Sequence, residues 1–159
     1  MAHSLAQRRH TTKLLSKGIC TILQTGGKTL IYLSDIRDFL KTVFKAEHYY
    51  IGKLDNKQDE SLGVYSLKQS GAPVRAIGDE STYNTISVSL LLHWNNNANE
   101  TERQARSLFE TLYSVKDVEI NKHTIYMIEL LTPEPVDVGT DDKGVYEQVI
   151  EVKFYYERM

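Results

Sequence analysis

Cysteine is all but missing from this chain: Cys20 is the only one in 159 residues, which excludes an intrachain disulfide and any cysteine-rich zinc site. Such usage fits a reducing cytoplasm. Long apolar runs are missing too. The longest, such as Leu90 to Leu92, fall far short of the roughly 20 residues that cross a bilayer, so no membrane role is expected. Histidines 3, 10, 48, 93 and 123 are scattered without an i,i+4 pair, and zinc has no ligand set. Proline is limited to Pro73, Pro133 and Pro135, so each marks a place where the chain stops or turns. Acidic side chains are absent from residues 1–29, which carry Arg8, Arg9, Lys13, Lys17 and Lys28. All 21 acids lie in the remainder. An acidic body argues against broad electrostatic or sequence-specific binding to nucleic acid.

The basic opening resembles a mitochondrial presequence in its Arg, Ser and Thr content. Its "GGKT" is no P-loop, because Ile22 stands where that pattern needs a glycine. Read backwards into codons, Gly26-Gly27-Lys28-Thr29-Leu30 can be written GGA-GGT-AAA-ACA-TTG, a bacterial ribosome-binding site ahead of an alternative start codon. Two readings therefore stand: residues 1–29 are a translated leader before a domain of residues 30–159, or they are a basic tail or helix.

What is present suits one domain with its own core. "SDIRDFLKTVF" predicts a helix capped by Ser34, with Ile36, Phe39, Leu40, Val43 and Phe44 on one face. "HYYIGKL" and "LGVYSLK" predict two strands joined as a hairpin by a polar loop. Next comes a long connection at residues 68–83, of a length that is usually functional. "NTISVSLLLHW" alternates as a strand, with Ile86, Val88, Leu90 and Leu92 on one face. A second helix is predicted in residues 95–115, its start marked by Asn99 with Glu102, its stripe formed by Ala105, Leu108, Phe109, Leu112 and Tyr113. "HTIYMIELL" and "YEQVIEVKFYYE" close the chain as strands. The order α-β-β-β-α-β-β predicts an α+β fold, two helices on a mainly antiparallel or mixed sheet.

Chemistry is poorly supported. Glu151-Val152-Lys153 matches half of a metal-dependent nuclease pattern, but alternation puts Ile150, Val152, Phe154 and Tyr156 inside and the charged pair on the wetter face. A calcium loop starting at Asp137 would need an oxygen ligand at Gly139 and a glycine at Asp142. No nucleophile motif occurs. No catalytic, metal or cofactor residue is assigned. The ten tyrosines mildly favour a protein interface.

Three stretches, "ISVSLLLHWNNNANETERQARSLFETL", "INKHTIYMIELLTPEPVDVGTDDKGVYEQVIEVKFYYER" and "LSDIRDFLKTVFKAEHYYIGKLDNK", closely resemble the small minor capsid or tail terminator (tail completion) proteins of long-tailed bacteriophages. The likeness covers about residues 31–158, and "TPEPVDVGTDDKGVYE" is its most specific part. It implies a non-enzymatic α+β subunit of the virion, assembled in the host bacterial cytoplasm. In that role a hexameric ring caps the finished tail tube, stops its polymerisation and helps form the head-tail joint. Its partners would be further copies of itself, the tail tube protein and the head connector protein. A head-side connector or other minor capsid protein is the alternative, and a metal-dependent cytoplasmic enzyme a more distant one.

The contact residues expected for such a role are Arg75 and Ile77 in the long connection, and the acidic stretch near the end. There Pro133 and Pro135 should end the preceding strand and stiffen the chain. From Glu134 to Glu147 the charge is −4, with Asp137, Asp141 and Asp142 opposed only by Lys143. The stretch is expected to be a loop that docks on a basic partner surface.

Overall fold

The computed structural model describes residues 30–55, 57–68 and 82–158. Its nine elements are α1 (Leu33–Val43), β1 (His48–Ile51), β2 (Ser61–Ser66), β3 (Tyr83–His93), α2 (Ala98–Ser114), β4 (Val118–Ile120), β5 (His123–Leu130), β6 (Val136–Thr140) and β7 (Tyr146–Glu157). The fold class is α+β, as expected, with two strands more than the sequence indicated.

β3 and β7 pair antiparallel along their whole length, from Tyr83 opposite Glu157 to His93 opposite Glu147. The sheet runs β1-β2-β3-β7-β5-β4, and β6 pairs with β7 as well. Strict alternation puts Val88, Leu90 and Leu92 of β3, and Ile150, Val152, Phe154 and Tyr156 of β7, on one buried face. Both helices contribute to the core packed there. α1 adds Ile36, Phe39 and Leu40, and α2 adds Ala105, Leu108 and Leu112. Phe39 meets Phe154 edge-on, with ring centroids 6.3 Å apart, the geometry that aromatic quadrupoles prefer. α1 touches β1 and β2 at one end of the strand order and β4 at the other, so the sheet curls around it.

Several expectations need correction. β1 and β2 are parallel, not a hairpin, with His48 opposite Ser61 and Ile51 opposite Val64. Parallel neighbours usually need a crossover of a dozen residues or more. Here residues 52–60 suffice because β1 is only four residues long. The cap of α1 is Tyr32, not Ser34: the Asp35 carboxylate reaches back to accept the Tyr32 amide at 2.9 Å. Asn97, not Asn99, caps α2, its side-chain oxygen accepting the amides of Asn99 and Glu100. Tyr113 leaves the apolar stripe and is 73% exposed.

β4 and β5 form a hairpin on Asn121 and Lys122, both with positive φ (49° and 67°). That is the geometry of the tight primed turns that match strand twist. Asn tolerates the left-handed region best after glycine.

Candidate functional site

Leu131 donates its amide to the Glu151 carbonyl at 2.9 Å, and regular pairing of β5 stops there. Pro133 and Pro135 have no N–H to offer. The Thr132 hydroxyl donates to the Glu134 carbonyl at 2.8 Å across the break. The prolines thus end the strand as their chemistry requires. The chain beyond them is not the loop expected from sequence. Instead, residues 136–140 return to the same flank of β7 as β6, with Val136 opposite Val149 and Thr140 opposite Tyr146. Aspartate and glycine allow this because the kink that they favour is absorbed as a register shift within the strand. β5 and β6 are two halves of one interrupted neighbour to β7.

Every residue of β6 is exposed. Its register shifts between Asp137 and Gly139, where the Asp137 carboxylate accepts the Gly139 amide at 2.8 Å. Gly139 has φ +95°, a region that side chains resist. Val136 and Val138 stand 42% and 50% exposed, beside the exposed Glu134, Asp137 and Asp142.

Asp141 differs from its acidic neighbours. One carboxylate oxygen accepts the amides of Lys143 at 2.8 Å and Val145 at 2.9 Å, which holds the β6–β7 turn. The other lies 3.2 Å from Nε2 of His93, a side chain with no exposure. An ionised carboxylate only accepts, so Nε2 is the donor. The Val145 amide is the largest influence holding the Asp141 carboxyl below its ordinary value. Burial opposes it, and His93 and the Lys143 amide assist. Glu147 lies beside His93 in the β3–β7 ladder. Burial pushes its carboxyl up, His93 pulls it down, and Asp141 adds to the rise. Asp141 is therefore a turn-holding residue facing inward, and Glu134, Asp137 and Asp142 are the acids presented to solvent.

A second surface lies where α2 ends. Tyr113, Val115, Val118, Ile125, Tyr126, Met127 and their neighbours line a shallow cleft of about 270 Å³. A bulge between Ile125 and Met127 breaks the alternation of β5. It leaves Tyr126 (57%) and Met127 (50%) both exposed, the re-aiming for which bulges are known. Sequence reasoning missed this patch, because an unbroken alternation would have buried one of the two.

On the sheet face away from the helices, Tyr155 donates its hydroxyl to Glu129 at 2.7 Å, and Lys153 Nζ lies 5.0 Å from the Tyr155 ring centre. Lys153 is thus held in a side-chain network opposite the core, and Glu151 also lies off the buried face. Among the described residues no group of three or more His, Cys, Asp or Glu is placed to hold a metal ion. No helix among them is long and apolar enough to cross a membrane. Arg75 and Ile77 lie outside the described residues, as does the proposed boundary at residue 29.

A family model described as bacteriophage tail terminator protein matches residues 16–158. The chain belongs to that family. It is a family of structural, oligomeric phage tail proteins rather than of enzymes, and it implies a place in the virion. The matched span reaches upstream of Leu30, so part of the basic opening is included where the resemblance had covered only residues 31–158. No curated protein matches the chain.

Proposed function

We propose that this tail terminator forms a closed homo-oligomeric ring, a hexamer, on the finished tail tube. It stops polymerisation of the tube and presents the surface that joins the head. The observation carrying this reading is the family match over residues 16–158. Three features of the fold are compatible with it. Among the described residues the sheet is open at both flanks, an acidic strand with exposed valines lies on one of them, and an aromatic and methionine patch stands beside α2. A ring closes through two different complementary patches on each subunit. Tyr and Met surfaces are the usual anchors of protein contacts.

The partners in this reading are further copies of the chain, the tail tube protein and the head connector protein, with assembly in the host bacterial cytoplasm and no catalytic step. Arg75 and Ile77 belong to the contact set we propose, with Pro133, Glu134, Pro135, Asp137, Asp141 and Asp142. Asp141 contributes by shaping the turn. The domain boundary at residues 29 and 30 is likewise a proposal, and a gene lacking a purine-rich run ahead of the Leu30 codon removes the leader reading.

The test is to mix the purified chain with tail tube protein. Light scattering and electron microscopy should show rings at one end of tubes whose growth has ceased. Tubes that lengthen at the same rate with and without the chain overturn the proposal.

A further inference from the structure

We propose that successive copies in the ring meet edge to edge, with β6 of one against β1 of the next; this rests on the ring reading above. Among the described residues, β1 is paired only with β2 and β6 only with β7. Each therefore has one flank without a strand neighbour among those residues. Their lengths agree, four residues for β1 and five for β6.

The registers put both flanks at the same height of the sheet. One row runs Tyr50–Gly63–Leu91–Val149–Val136, and another runs His48–Ser61–His93–Glu147–Gly139. Four inter-strand steps separate the flanks, roughly 15–20 Å at the usual spacing, so one copy can hold two neighbours at once. Pairing that preserves these rows adds no rise from copy to copy. A ring needs that condition in order to close rather than wind into a filament.

Charge selects the pairing. Beside β1, a cleft of about 490 Å³ is lined by Tyr50, Lys53, Leu54, Asp55 and Lys57. Asp55 accepts the Lys57 amide at 3.1 Å and so holds its own turn. Neither lysine is in an ion pair among the described residues. In the rows above, the end of β6 that meets this part of β1 is the Val136 end, where Glu134 and Asp137 stand with the exposed Val136 and Val138. Two β6 strands would bring acids together, and two β1 strands would bring lysines together. Like charges placed opposite one another disfavour both symmetric pairings. The mixed one remains, with Ile51 (37% exposed) available to the valines. An acid on an edge strand normally guards against stray pairing; here it also specifies an amine-bearing edge as the admissible neighbour.

Zero-length carbodiimide coupling of the full chain, alone at high concentration and on tube ends, should link Lys53 or Lys57 of one copy to Glu134 or Asp137 of another. Lys53→Glu with Lys57→Glu should raise the concentration needed for rings about tenfold, as loss of rim charge pairs does. Glu134→Lys with Asp137→Lys should do the same, and an equal mixture of the two double variants should restore mixed assembly. Circular dichroism should show both double variants folded. Links running instead from these acids to Lys13, Lys17 or Lys28 would put the chain's own basic segment on the β6 edge and overturn the inference. So would rings that form at wild-type concentration in both double variants. A wild-type chain that never associates with itself, free or on tubes, refutes the ring reading and this inference with it.

Discussion

Replacing Phe39 by alanine should cost this domain a large share of its stability. Phe39 is 8% exposed and lies on the inner face of α1, edge-on to the fully buried Phe154 of the central strand β7. Removing a buried phenylalanine side chain costs about 3–5 kcal/mol, because lost transfer energy and an unfilled cavity add together. Of that, roughly 0.5–1.5 kcal/mol reflects the aromatic pair itself. Domains of this kind are held by about 5–15 kcal/mol in all, so the variant should lie close to the limit of folding. Urea unfolding followed by far-ultraviolet circular dichroism should show an earlier midpoint with an unchanged slope. The melting temperature should fall by about 10–20 °C. α1 also bridges the β1–β2 and β4 ends of the curled sheet, so the midpoint for assembly should fall with the midpoint for unfolding. A loss below about 1 kcal/mol, the ordinary outcome for an undistinguished position, would mean that α1 does not pack over β7 as described.

Tyr113→Ala and Met127→Ala, at exposed positions, should change stability by no more than about 0.5 kcal/mol yet weaken capture on tail tubes; unchanged tube binding removes that patch from the interface. Asp142→Asn should leave the β6–β7 turn intact, whereas Asp141→Asn should loosen it, which amide hydrogen exchange at Lys143 and Val145 will read. Two of the shifted carboxyls, Glu147 and Asp141, give opposite pH effects. Glu147 is raised above 4.5, so the folded state takes up its proton first as pH falls, and stability rises slightly through that window. Asp141 is lowered below 3.8; its contribution is complete above the unfolded value and is lost as pH falls through the folded one. Stability should therefore pass a shallow maximum at mildly acidic pH. Glu147→Gln should abolish the rise, and Asp141→Asn the subsequent fall. Incubation of DNA with the chain and magnesium or manganese should give no cleavage; cleavage abolished by Glu151→Ala would restore the nuclease reading.

The elements legible in the sequence were those whose partners are implied by their own periodicity. β3 and β7 are eleven and twelve residues long, and alternation alone predicted the burial of Val88, Leu90 and Leu92 and of Ile150, Val152, Phe154 and Tyr156, though not that of His93. The stripes of α1 and α2 behaved likewise except at their margins, where Tyr113 turned outward. Strand direction was not legible. A polar connection says that the chain leaves the sheet, not from which end it returns, and β1 returned parallel to β2. β4 has three residues, too few for alternation to register. β6 was hidden because Val-Asp-Val-Gly-Thr carries the glycine and aspartate of a turn while pairing as a strand. The capping residues were each misplaced by two positions, since Tyr32 owes its role to a carboxylate three residues on.

The acidic stretch shows why a charge count could not find the site by itself. Its five carboxylates looked equivalent in sequence, and an Asp141 with Asp142 charge reversal would have seemed a clean probe of docking. His93 lies 48 residues away in the chain and has no exposure, so nothing local marks Asp141 as its partner. Yet that pairing divides the stretch. Asp141 stabilises the turn from within, and its reversal would collapse the surface that it was meant to test. Glu134, bonded loosely to Arg106 at 3.4 Å and 64% exposed, is free to exchange that exposed pair for an intermolecular one at little cost. Asp137 keeps one oxygen on Gly139, and among the described residues the other is available. In the contact set proposed above, the outward acids are presented only because an inward one fixes the strand that carries them, and a charge variant informs on assembly only when it leaves Asp141 in place.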